Sequence, residues 1–441
     1  MLRYKKLKSI DLRSKFAKGV TGAFGLRIAL TGFSFIIGVF LARVLGVAEY
    51  GLYTYCTAWV ALLQVPAELG SRIILAREVA AYQSQSKWSL LKGLLLWMNK
   101  AVLLVSIGFT VLVLIAVWGI KERTVDPALL TFFVALSTLP LFALTAARQG
   151  AMQGFRAITR GLLPENLVQP VVLIVSVGAA YLLLAGELSA LQVMLLRAGA
   201  IALSFILGTV LLRKTIPTEV SNAQAQYNIG QWTRSMVPFV LISFTYIINT
   251  RTDTLMLGIL DSTESAGIYS VASRGADLVT FVIIAVNMSL APIVSSLYAK
   301  GEIKQLQAAV SKSSKLIFIG ALPIVGGLIL FNQWFLLLFG SGFLVGSTAI
   351  IILTLGQLVN ASVACAGMVL DMTGYERYSA VGTGCGAILN IFLNLWLIPI
   401  YGLAGAAIAT ASSMAARNLF LLVCVYQKVG IRASVVGAFQ T

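Results

Sequence analysis

Nine ionisable side chains interrupt long apolar stretches of this 441-residue chain: the cations Arg27, Lys100, Arg197, Arg251, Arg274 and Arg417, and the anions Glu68, Asp253 and Asp277. An ionised group at the centre of a bilayer costs at least about 2.5–3.5 kcal/mol, so such groups persist when they pair, face water or face a ligand. A helical rise of about 1.5 Å per residue lets their depths be compared. From the acidic turn at Asp261 and Glu264, Asp253 lies eight and Arg251 ten residues back, while Arg274 lies ten and Asp277 thirteen residues forward. Two consecutive antiparallel helices would place these four groups in one layer about 12–20 Å deep. Two crossed pairs then become available, Asp253 with Arg274 and Arg251 with Asp277. Arg27 and Glu68 flank an earlier acidic turn at Glu49, at 22 and 19 residues, and form a counterpart toward the cytoplasmic ends of their stretches. Two readings stand for these six groups: structural ion pairing, with snorkelling at Arg27 and Glu68, or the lining of a hydrated cavity. Lys100, Arg197 and Arg417, each alone in its stretch, read as snorkelling or locally packed groups.

The charge sum separates classes of cargo. Six cations against three anions leave an excess of three positive charges within the stretches. That excess suits a ligand bearing negative charge, such as a pyrophosphate, which arginine grips through paired hydrogen bonds. A carrier of organic cations calls for the opposite excess. Catalysis finds little support, because the chain has no histidine. Imidazole acid–base chemistry, imidazole metal ligation and Ser–His or Cys–His nucleophiles are thereby excluded. Cys56, Cys365, Cys385 and Cys424 lack C-x-x-C spacing and read as small buried hydrophobes, neither disulfides nor a metal site. There is no GxxxxGK[ST] phosphate loop and no polar stretch with room for a catalytic domain. The chain is expected to be no enzyme and to carry no cofactor or metal.

The elements that must position these groups follow from composition. Hydrophobic residues make up 59% and charged residues 11% of the chain, with mean hydropathy +0.91, whereas soluble domains carry about 25% charged residues. In lipid, helices or closed barrels alone satisfy the backbone. Twelve apolar stretches of helix-spanning length fall at 20–43, 50–70, 94–119, 128–147, 164–184, 188–212, 236–260, 267–297, 314–339, 344–370, 378–399 and 403–427. An even number puts both termini on one side. With that side inside, 24 basic residues fall in inside segments, two (Lys121 and Arg123) in outside loops, and seven in or at the ends of stretches. Such asymmetry marks the cytoplasm and accounts for the net charge of +17 without nucleic acid. The first eighteen residues are basic with Leu7, Ile10 and Phe16 interleaved, as in an amphipathic cytoplasmic helix rather than a cleavable signal. Pro66, Pro140, Pro170, Pro238, Pro292 and Pro323 fall inside stretches and permit bending. Asn390 and Asn394 stand one turn apart, spaced for hydrogen bonding between helices.

A repeat emerges when the turn after the first stretch is laid on the turn after the seventh. Leu45-Gly46-Val47-Ala48-Glu49-Tyr50-Gly51-Leu52-Tyr53 and Leu260-Asp261-Ser262-Thr263-Glu264-Ser265-Ala266-Gly267-Ile268-Tyr269 both end in Gly-aliphatic-Tyr behind a glutamate. Six stretches separate them, so the halves keep one orientation and are related by an axis along the membrane normal. The expected fold is an all-α polytopic membrane protein, with twelve transmembrane helices in two six-helix bundles related by that pseudo-two-fold axis. Residues 1–215 would form the first bundle, 216–234 a cytoplasmic linker and 235–441 the second.

These residues resemble the Wzx-type flippases of O-antigen and exopolysaccharide synthesis, in the multidrug/oligosaccharidyl-lipid/polysaccharide (MOP) superfamily. Beyond the repeated turns, the likeness rests on Arg77-Glu78-Val79-Ala80, on Gln153-Gly154-Phe155-Arg156 and on Asp253-Thr254-Leu255-Met256-Leu257-Gly258 followed by Ser270-Val271-Ala272 and Arg274. Asn390, Asn394 and Ile398-Pro399-Ile400-Tyr401-Gly402-Leu403-Ala404-Gly405 extend it into the tail. The resemblance implies two bundles around a cavity that opens alternately to each side, and an undecaprenyl-pyrophosphate-linked oligosaccharide as cargo, moved from the cytoplasmic to the periplasmic leaflet.

On this reading Arg27, Arg251 and Arg274 contact the headgroup, while Glu68, Asp253 and Asp277 support them or bind a coupling Na+ or proton. The expected partners are the lipid-linked oligosaccharide, membrane lipids, and the polymerase and assembly proteins of a polysaccharide pathway, in a bacterial inner membrane. Two alternatives are an ion-coupled multidrug exporter of the same fold and a non-transporting scaffold of an assembly complex. The charge asymmetry makes a direct prediction: a cysteine at Ser262 is labelled by impermeant reagent from the periplasm and one at Gln305 only from the cytoplasm. The reverse pattern would overturn the topology.

Overall fold

A computed structural model describes the backbone of residues 2–120, 126–184 and 186–435, and side chains from Thr31 onward apart from 120, 237, 241, 242, 245 and 246. The expected amphipathic face of the first eighteen residues, the side chain of Arg27, and Lys121 with Arg123 lie outside the described residues.

The described chain is helical, and it makes twelve apolar passes. The first is α1 (2–45), which a single residue separates from α2 (47–68, continued as Ser71–Ser84). That residue is Gly46, at φ 70° and ψ −179°, a conformation open to glycine and strained for any residue with a Cβ. Next come α3 (Trp88–Ile120), α4 (Pro127–Ser137 with Leu139–Gly154), α5 (Ile158–Leu163, a π turn Pro164–Val168, then Gln169–Leu183) and α6 (Ala190–Thr215). The second set is α7 (Ile229–Leu260), α8 (Thr263–Ala276 with Leu278–Ala299), α9 (Ile303–Leu330), α10 (Ser347–Ser362 with Cys365–Met372), α11 (376–401) and α12 (403–429). Gly402, at φ 54°, divides the last two as Gly46 divides the first. By length and hydropathy, nine segments of the described residues qualify as membrane spans. Two of these, Thr31–Ser84 and Glu376–Val429, each hold two passes, and α7 completes the twelve.

The prolines act where a free amide is dispensable. Pro66 precedes the break at Leu69 and Gly70, Pro140 follows the break at Thr138, and Pro170 follows the π turn. Pro238, Pro292 and Pro323 stay within uninterrupted helices. Helices also outrun their apolar stretches. The continuation of α2 carries Arg72 and Arg77, and α9 begins at Ile303, so that Lys304, Lys312 and Lys315 ride on helix rather than loop.

Packing groups residues 41–268 into one compact unit and residues 1–40 with 269–441 into a second. In the first, Gly150 and Gly154 stand one turn apart on α4, where a Cβ would strike the Arg72 backbone and the Val79 side chain of α2. Small residues at this spacing let helix backbones approach closely. Ser189 and Gln192 form a capping box on α6, and the Glu49 carboxylate accepts from the Ala190 amide beside it. Residues 216–232 are strapped down as well. Lys92 Nζ donates to the carbonyls of Ser221 (2.7 Å) and Ala223 (2.9 Å), and buried Trp232 donates to Tyr82 Oη at 3.1 Å. The second unit has its own core, in which Leu306, Val310, Ile317, Cys365, Val369 and Val425 are fully buried.

The sequence repeat has a spatial counterpart. Gly51 and Gly267, equivalent in the two turns, pack backbone to backbone: a Cβ on Gly267 would fall on Gly51. Equivalent residues that touch lie on the axis relating them. Each half also repeats one interaction. Tyr53 on α2 accepts a hydrogen bond from Arg197 on α6, and Tyr269 on α8 bonds Thr410 on α12 at 2.8 Å. The approach of the glycines predicts that Gly267→Leu lowers the yield of monodisperse protein severalfold in fluorescence-detected size exclusion. Gly108→Leu on α3, where nothing lies within 4 Å, leaves it near wild type.

Candidate functional site

Arg274, on the first stretch of α8, lays its guanidinium against Gly38 of α1, where any Cβ would collide with it. Its Nη1 donates to the Ser34 carbonyl at 3.4 Å. Within this unit, then, a neutral acceptor and a glycine-made gap hold the cation. Asp277 sits at the interruption between Ala276 and Leu278. There it accepts from Gln357 Nε2 of α10 at 3.4 Å.

From Gln357 a polar chain continues through the same unit. Asn360 donates to Gln357 Oε1 at 3.1 Å, Asn418 of α12 donates to Asn360 Oδ1 at 3.0 Å, and Arg417 reaches the same oxygen at 3.4 Å and Asn418 Oδ1 at 3.3 Å. Amide side chains thus link Asp277 to Arg417, a cation the spacing left alone. Amides on α10 and α12 at helical spacing were the available signal, but nothing in the sequence says that those faces meet.

The remaining expected groups are distributed as follows. Glu68 accepts from Gln64 one turn earlier on α2. Arg251 is exposed and Asp253 half-buried on α7, in the unit of residues 41–268. Asn394 donates to Asn390 at 3.1 Å, and Asn390 reaches Thr410 on α12, which is the interhelical role expected for the pair.

One charge is placed differently from expectation. Arg148, counted among inside loops because the apolar stretch ends at 147, lies on α4 with 3% of its surface exposed. It pairs with Glu165 of the π turn, donates to the Phe205 carbonyl at 2.9 Å and fills the space left by Gly208 on α6. Its guanidinium also lies 5.7 Å from the Phe205 ring, and Gln149 holds the other Glu165 oxygen at 3.1 Å. The physical reason is that α4 continues to Gly154, so the end of the apolar stretch does not end the helix. Arg197 is the opposite case. Its partners are the Tyr53 hydroxyl at 3.1 Å and the rings of Tyr53 and Phe142, 5.3 and 6.0 Å away.

Comparison with known proteins agrees with this architecture. Residues 16–298 match a family model described as polysaccharide biosynthesis protein, and residues 238–396 match one named MatE. A probable low-salt glycan biosynthesis flippase of Haloferax volcanii is 23% identical over 411 residues, 92% of this chain and 82% of its own. Among solved structures, an inward-facing MATE family multidrug transporter of the MOP superfamily superposes with TM-score 0.73 at 14% identity, covering 93% of this chain and 96% of that one. The inward closed lipid II flippase MurJ gives 0.66 at 16% identity, covering 91% and 87%. At these identities the two structures establish the fold.

The enclosed pair at Arg148 generates a stability prediction. Arg148→Gln or Glu165→Gln alone leaves an unpaired buried charge, worth about 3–5 kcal/mol, and lowers the thermal midpoint of detergent-purified protein. The double variant recovers part of that loss. Additive losses in the double-mutant cycle would show that the two charges do not act as a unit.

Proposed function

The chain belongs to the polysaccharide biosynthesis protein family, a branch of the MOP transporters and flippases, and from that membership we propose that it flips a lipid-linked, anionic oligosaccharide across the membrane. The cargo is an undecaprenyl-pyrophosphate-linked repeat unit of a cell-surface polysaccharide, O-antigen or exopolysaccharide. It moves from the cytoplasmic to the periplasmic leaflet of a bacterial inner membrane, with both termini of the carrier in the cytoplasm. The observation that carries this reading is Arg274, a cation inside an apolar helix whose own unit answers it with a neutral carbonyl and a glycine gap. A charge that no carboxylate among the described residues of its unit answers suits an anionic headgroup.

Arg27, Arg251 and Arg274 are the headgroup contacts of this proposal, with Asp253 and Asp277 holding the latter two in place. The lipid tail stays in the bilayer while the sugar-pyrophosphate crosses a cavity, as residues 1–215 rock against 235–441 about the 216–234 linker. Glu68, Asp253 or Asp277 takes up a coupling Na+ or proton, because the chain has no nucleotide-binding loop to supply the driving force. A polymerase and assembly proteins then receive the flipped unit.

A deletion strain tests the reading directly. It accumulates lipid-linked repeat units facing the cytoplasm, whereas normal polymer export from that strain defeats the proposal. In a complemented strain, Arg251→Ala and Arg274→Ala keep normal protein abundance on a blot and lose at least about tenfold in export, the scale of lost charge-assisted hydrogen bonds. Arg→Lys restores export only in part, since the bidentate fork is missing. Unimpaired export by Arg27→Ala, Arg251→Ala and Arg274→Ala alike would refute the cationic cavity.

A further inference from the structure

Within the unit of residues 41–268, Arg148 and Arg197 stand in contrasting surroundings. Arg148 is sealed from every side by a carboxylate, carbonyls, a ring and a glycine gap. Arg197 is half-buried, and three helices hold it without neutralising it: α2 through Tyr53, α4 through Phe142, and its own α6. A guanidinium has five N–H donors, and Tyr53 takes one of them. Among the described residues of this unit, none of its partners is a carboxylate. Cation–π contact with two rings fixes where the charge sits and supplies no counter-charge.

Depth adds a second observation. Arg197 is seven residues from Ala190, where α6 begins, and Tyr53 is seven residues from the Gly46 break, where α2 begins. Both counts give about 10 Å at helical rise. The 26 residues of α6 span about 39 Å, close to the thickness of a bilayer with its headgroup zones. With about 30 Å of hydrocarbon centred on the helix, Arg197 therefore lies about 6 Å below the boundary between headgroups and hydrocarbon, on the side to which the charge asymmetry assigns the α5–α6 turn, the periplasmic one. A lipid diphosphate passing that depth is a group that arginine matches in a bidentate way.

We propose that Arg197, carried by Tyr53 and Phe142, is a phosphate-binding site on the outer side of the membrane that takes the diphosphate of the isoprenoid carrier as it emerges. This rests on the flippase reading above and adds to it a residue that receives the headgroup at the far end of its path. Tyr53 and Phe142 are positioning residues, because they hold the guanidinium while its remaining donors stay available.

The test uses full-length protein in nanodiscs of zwitterionic lipid, with ligand binding followed by native mass spectrometry. The probes are undecaprenyl diphosphate, undecaprenol, which lacks the phosphates, and phosphatidylglycerol, which carries a phosphate on a different lipid. Wild-type protein is expected to prefer the diphosphate to undecaprenol by about tenfold or more, and Arg197→Gln to lose most of that preference. Undecaprenol should bind both proteins alike. Should Arg197→Gln fold poorly, Arg197→Lys decides: it keeps the charge over the rings, and weaker diphosphate binding at normal abundance supports the site. Undiminished binding by Arg197→Lys, or by well-folded Arg197→Gln, overturns this inference and leaves the flippase reading standing. Wild-type protein that cannot tell the diphosphate from undecaprenol brings down the flippase reading itself. Displacement of the diphosphate by equimolar phosphatidylglycerol assigns the site to bulk phospholipid and overturns the carrier assignment.

Discussion

A positive charge inside hydrocarbon has to be answered within a few ångströms, since neither water nor mobile ions are there to screen it. Four arginines within the described helices show four different answers. Arg148 receives a full counter-charge from Glu165 and two backbone carbonyls of α6. Arg417 receives the oxygens of Asn360 and Asn418, which connect it through Gln357 to Asp277. Arg197 receives rings and a phenol, and Arg274 a carbonyl in a gap that only glycine leaves. The answers thus run from full neutralisation at Arg148 to contacts that supply no counter-charge at Arg197 and Arg274.

Glycine is what brings the helices near enough for those answers. Gly208 makes room for the Arg148 guanidinium and Gly38 for that of Arg274, so the charges lie against backbone instead of projecting into lipid. Gly46 and Gly402 do a second job: at positive φ they turn one helix into the next without a loop. Between α1 and α2 this places the motif glycine Gly51 where it meets Gly267 of the repeat. The duplicated turn is thus a packing device, and the glycine in each copy is there because two backbones pass through one point.

The two halves keep the same skeleton and diverge in chemistry. In each, a tyrosine on the second helix bonds the sixth, but Tyr53 meets an arginine, whereas Tyr269 meets Thr410 and, through it, Asn390 and Asn394. Duplication with such divergence leaves a cation at one place and neutral polar groups at its equivalent in the other half.

The sequence by itself determined the class, the number of passes and the repeat. Each depends on local rules: about twenty apolar residues cross a bilayer, glycine marks the turns, and a repeated hexamer of helices preserves orientation. It also placed Arg197, Arg274 and Arg417 within apolar stretches, and Asn390 with Asn394 by helical periodicity. What it could not determine was partnership. The apolar stretch ending at Ala147 put Arg148 in a loop, because hydropathy records where apolar residues stop and not where helical hydrogen bonding stops. Arg417 and Arg197 looked solitary because their partners Asn360 and Tyr53 lie 57 and 144 residues away. Only the tertiary structure decided those pairings, for the physical reason that a charge in hydrocarbon is answered by whichever face of a neighbouring helix packs against it, and the choice of face follows from close packing among many helices at once.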